Sequence, residues 1–141
     1  MSADRAFFAL VVASIVVLAA CSSSTQANQV GQVTRTSDGG QVTVVVEWAG
    51  PSAGPVFHVK LDTHAVDLDA LDLADATLRN DRGETMVARP WAAPKGGHHR
   101  EGILTFDGNS STFFAGATWI ELVIAGVGDL PERTLRWEVG S

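Results

Sequence analysis

From Gln41 to Trp48 the apolar side chains recur at every second position. Val42, Val44, Val46 and Trp48 fall on one face, Thr43 and Glu47 on the other, and Val45 breaks the rule. Successive side chains of a strand point to opposite faces, so this order buries one face of a β-strand. A helix turns about 100° per residue and would scatter the same residues around its circumference. The period returns from Val56 to His64, with Phe57, Val59 and Leu61 inward and His58, Lys60, Asp62 and His64 outward. It returns again in Trp119–Ala125, where Ile120, Leu122 and Ile124 share a face, and in Arg133–Val139, with Leu135, Trp137 and Val139.

Three shorter runs complete the set. Ala76–Arg79 and Glu84–Ala88 flank Asn80-Asp81-Arg82-Gly83, which has the chemistry of a hairpin turn ending in glycine. Gly102–Phe106 is a further strand. Val66–Ala76 reads as a short helix or a loop, and turn clusters such as Gly50–Pro55 separate the strands. Seven short strands without a long helix imply an all-β fold, and the expected architecture is an immunoglobulin-like two-sheet β-sandwich. The Cys and Trp spacing of true immunoglobulin domains is absent.

Charge and motifs narrow the function. A net charge of −6 argues against nucleic acid as a partner. No Gly-x-Ser-x-Gly elbow and no phosphate-binding glycine loop is present, and the expectation is that the chain is not an enzyme. The most unusual local feature is Gly96-Gly97-His98-His99-Arg100. Asp62 and His64 lie two apart on one strand and share its outer face. If the glycine loop folds over that face, Asp62, His64, His98 and His99 converge as a transition-metal site, because Zn²⁺ and Cu²⁺ favour imidazole with carboxylate as companion. The competing expectation is a buried His64 or His99 locking the loop to the sheet by hydrogen bonds. The acidic run Asp67, Asp69, Asp72 and Asp75 invites calcium, but lacks the central glycine of an EF-hand loop. Trp48 and Trp137 fall on apolar faces. Phe113 and Phe114 cannot both point inward from an extended segment.

The first residues give an address. FFALVVASIVVLAA, residues 7–20, is fourteen residues without a charge, short of the roughly 20 needed to span a membrane. It follows Arg5, with Asp4 opposing that charge, and suits the core of a signal peptide. It ends in Leu18-Ala19-Ala20-Cys21, which resembles the lipobox of bacterial lipoproteins at all four positions. That resemblance implies a signal peptide over residues 1–20, cleavage before Cys21, acylation of its thiol, and anchoring to the extracytoplasmic face of a bacterial cell envelope. Cys21 is the only cysteine, so no internal disulfide is expected. Residues 21–40, rich in Ser, Thr, Gln and Asn, read as a flexible tether. Residues 41–141 read as the β-sandwich domain. LDTHAVDLDALDLA, GGHHREGILTF and LPERTLRWEV are similar to a group of uncharacterised exported bacterial β-domains, which implies only that positions 57–139 form one domain. The expected function is a binding or scaffolding module for an unknown protein or small ligand, held at the membrane through lipid on Cys21. The alternative is a Zn- or Cu-binding lipoprotein.

Overall fold

A computed structural model describes residues 33–140. The signal segment, the lipobox with Cys21 and the first part of the expected tether lie outside the described residues. The chain is all-β, with eight strands in the order β1 Val33–Gly39, β2 Val42–Trp48, β3 Val56–Thr63, β4 Thr77–Asn80, β5 Thr85–Ala88, β6 His99–Asp107, β7 Trp119–Val127 and β8 Leu130–Glu138. A 3-10 turn at Pro51–Ala53 and one short helix, α1 Ser110–Phe114, interrupt them.

The strands form a single antiparallel sheet ordered β1-β2-β3-β6-β5-β4-β7-β8. Two separate sheets were expected, and β6 is the reason they are joined. Its residues His99–Thr105 pair with β3, while Phe106 and Asp107 pair with Ala88 and Val87 of β5. One long strand thus turns the corner between the two halves, as strands do where sheets meet at a steep angle. Curling brings the first strand against the last. Between β1 and β8 the closing bonds run from side chains to backbone: Trp137 Nε1 donates to Val33 O at 2.9 Å, Arg35 Nε to Arg136 O at 2.7 Å, and Arg133 to Ser37 O and Gly39 O at 3.0 and 2.7 Å. The product is a nearly closed barrel.

β1 corrects the expected tether. Its sequence, VTRTSDG, carries no alternation of apolar residues because both of its faces are largely exposed. Pairing with β2 from Val33↔Trp48 to Gly39↔Val42 holds it, not burial. The turn that joins the pair is tight. Gly40 has φ 56°, and a Cβ on Gly128 would sit 2.0 Å from Gly40 O, so the β7–β8 turn packs onto the β1–β2 turn only with glycine there.

The core is what the alternation demanded. Val42, Val44, Val46, Phe57, Val59, Leu61, Leu78, Leu104, Ile120, Leu122, Ile124 and Trp137 are buried and fill the barrel interior. Rings knit the halves: Trp137 on β8 meets Phe57 on β3 at 5.5 Å and Trp48 on β2 at 6.1 Å between centroids. α1 resolves the problem of the adjacent phenylalanines. Asn109 caps it by accepting from Thr112 N, and the helical turn lets Phe113 bury while Phe114 stacks on Trp48 at 5.6 Å. Between β3 and β4 the acidic run is a loop, not a helix. Leu68 and Leu73 anchor it to the core, and Asp67 and Asp72 each accept from the backbone N–H two residues on. Among the described residues no helix is long and apolar enough to cross a membrane.

Candidate functional site

Sheet register lines up a row of polar residues across the outer face at one end of the barrel. Asp38 on β1 pairs with Thr43 on β2, Thr43 with Asp62 on β3, and Asp62 with His99 on β6. Hydrogen bonds follow the row: Thr43 Oγ1 donates to Asp38, and His99 Nδ1 lies 2.6 Å from Asp62 Oδ1. An ionised carboxylate only accepts, so the proton of that contact sits on His99 Nδ1 and a neutral ring keeps its lone pair on Nε2. The His64 ring lies beyond the end of β3, edge-on to His99 with centroids 6.2 Å apart. Beside them is a depression of about 330 Å³ lined by Gln41, Thr43, Asp62, Thr63, His64 and Ala65.

The backbone under both imidazoles is held firmly. Thr63 is buried; its hydroxyl donates to Gln41 O at 2.6 Å and accepts from Ala65 N at 3.1 Å, which sets the turn carrying His64. Thr63 N donates to His98 O at 3.0 Å and Leu68 N to Gly97 O at 2.9 Å, so the glycine loop is stitched to the β3–β4 loop. Asp69 completes the stitch by accepting from both Gly96 N and Gly97 N at 2.9 Å, a concave pair of amides opened by φ 63° at Gly97. Those two bonds, Gly97's first, hold the Asp69 carboxyl below the usual aspartate range.

Arg100 is the residue that sequence reasoning passed over. It is buried at 6% exposure. Its guanidinium donates to four carbonyls, Leu68 O and Leu71 O at 2.6 Å and Pro94 O and Ala93 O at 3.0 Å, and lies 4.8 Å from the centre of the buried Trp91 ring. Five fixed donors in one plane suit this task. The signal available in the sequence was its place at the start of an alternating strand, one position beyond two histidines.

Of the four expected ligands, the structure brings together Asp62, His64 and His99. His98 contributes its backbone carbonyl, and no hydrogen bond or ring contact joins its side chain to the other three. The expectation of a buried His64 or His99 is corrected: both are exposed, and the loop is locked by Asp69, Arg100 and backbone bonds instead. Asp62 also plays a different part from the one expected, gripping His99 from behind. Among the described residues no group of three or more His, Cys, Asp or Glu side chains is arranged to hold a metal ion.

The remaining outer face of β2, β3 and β6 mixes ion-paired residues with the exposed Val56 and Ile103. Glu47 takes Lys60 Nζ at 3.1 Å and His58 Nδ1 at 3.4 Å, contacts that hold its carboxyl below the usual glutamate range. The fold is an eight-stranded antiparallel sheet curled into a nearly closed barrel, with a filled interior and a polar rim. Comparison with known protein families, curated proteins and solved structures finds no match to this chain.

Proposed function

We propose that this chain is a bacterial lipoprotein whose barrel serves as a binding or scaffolding module on the extracytoplasmic side of a membrane, held there by acyl groups on Cys21. The observation that carries the reading is Leu18-Ala19-Ala20-Cys21 after a charge-free apolar run. Several acyl chains, each gaining about 0.8 kcal/mol per buried methylene, make a durable anchor where one chain is marginal. The geometry is in keeping with it. Val33 is the first described residue of β1, and the polar rim of Asp38, Asp62 and His99 sits at the other end of that strand. Five residues of strand, at about 3.3 Å each, separate the ends. The rim thus lies at the end of β1 farther along the chain from Cys21. Side chains fill the barrel interior, so a ligand is met on the rim or the outer faces. The two halves joined by β6 face each other across one core, which is the part of the sandwich reading we retain.

The test is metabolic labelling with a fatty-acid analogue. Wild type takes up label and loses residues 1–20; Cys21→Ser takes up none and keeps them. Equal labelling of both ends the lipoprotein reading.

A further inference from the structure

His64 and His99 are two exposed imidazoles carried side by side on the same rim. We propose that these two imidazoles form an open site for a divalent transition ion, Cu²⁺ foremost, with Asp62 as the positioning residue behind His99 and water filling the other positions. The anchor reading does not use this site, and neither proposal depends on the other.

Four observations carry it. First, the Asp62–His99 contact is the arrangement in which a carboxylate fixes the tautomer of a metal-binding histidine and raises the basicity of its free nitrogen. Second, the spacing fits. Bonds of about 2.0–2.1 Å from a metal to two imidazole nitrogens hold the ring centroids roughly 5 to 6.5 Å apart, depending on the angle between the bonds. The observed 6.2 Å falls within that span. Third, the backbone beneath each ring is pinned, His99 by pairing with Asp62 and His64 by the buried Thr63 hydroxyl, so little order has to be gained on binding. Fourth, the site is open: His99 and Asp62 side chains are 67% and 51% exposed, and the depression beside them has room for bound water. Copper stands above zinc for a nitrogen site of this kind, so Zn²⁺ occupies the same place more weakly.

The test is a Cu²⁺ titration of the full chain in detergent, without an affinity tag or chelator, on a Cys21→Ser background that removes the only thiol. The expected result is one ion per chain, with an electron paramagnetic resonance spectrum of two nitrogen ligands. His64→Ala and His99→Ala each weaken binding by tenfold or more, and Asp62→Asn weakens it by about tenfold or more. His58→Ala and His98→Ala leave it unchanged. His64→Gln and His99→Gln repeat the ligand test with polar side chains, and unchanged melting of each apo variant shows that the barrel is intact. No binding tighter than about 10 μM overturns the site. So does copper that stays bound when both His64 and His99 are replaced, or that leaves when His98 is.

Discussion

Asp69 and Arg100 hold the glycine loop from opposite sides, one by accepting from amides and the other by donating to carbonyls. The sequence shows both residues but not these roles, because their partners come from distant parts of the chain. Asp69 sets a pH dependence. Its folded pKa is depressed by the Gly97 and Gly96 amides. Its stabilising effect is therefore fully present above the unfolded value, about 3.9, and is lost as pH falls through the lower folded value. Other carboxylates share this direction, Asp81 through Thr118 and Glu84 through Arg82 and Asn80 among them. The comparison that isolates Asp69 is with Asp69→Asn, which keeps an acceptor oxygen and does not titrate. Urea midpoints measured from pH 5 down to pH 2.5 should fall less steeply for the variant than for wild type. Identical slopes would sink this account of the loop.

At the scale of elements, the reading of β2, β3, β7 and β8 from alternation agrees with the structure in which face is buried. The agreement has a physical cause: each of those strands has one face on the core and the other more open to solvent, with Val123 of β7 the buried exception, so its period is written in the residues. β1 has no such face and left no pattern in VTRTSDG. α1 is legible only from Asn109 as a cap, since five residues are too few to show a helical period. The acidic loop from His64 to Ala76 has helix-like leucines, but they reach the core one at a time from irregular backbone, with Leu73 at φ 51°. A prediction belongs to β1. Removing residues 1–40 takes away all seven of its pairings with β2, the carbonyl that accepts from Trp137, and two of the three that accept from Arg133, Val127 O remaining. Hydrogen bonds of this kind contribute roughly 1 kcal/mol each, so their joint loss, with the cover β1 gives to β8, destabilises the barrel. A chain starting at Gln41 should unfold at markedly lower urea than one starting at Val33, followed by tryptophan fluorescence. Equal midpoints would show that β1 is dispensable.

For the molecule as a whole, the seam between β1 and β8 is the place where the barrel is closed by side chains and not by a backbone ladder. Burial pushes the Arg133 guanidinium below its ordinary pKa, with the Asp38 carboxylate opposing, so the seam holds a desolvated cation without a direct ion pair. Openings smaller than global unfolding start where buried apolar contact is least. Amide hydrogen exchange should accordingly show β1 losing protection well before β2 and β3. Exchange of β1 in step with β3 would mean that the seam opens only when the barrel unfolds. Within the described residues, the all-β class, most of the strands, the inward faces of β2, β3, β7 and β8 and the hairpin at Asn80–Gly83 were legible in the residues alone, because local period and turn chemistry depend on neighbours along the chain. Only the tertiary structure decided that the strands make one nearly closed sheet, that Val33–Gly39 belongs to it, and that Asp62, His64 and His99 meet while the His98 side chain stays apart. Those outcomes rest on strand order and register, which are set by contacts between residues far apart in sequence.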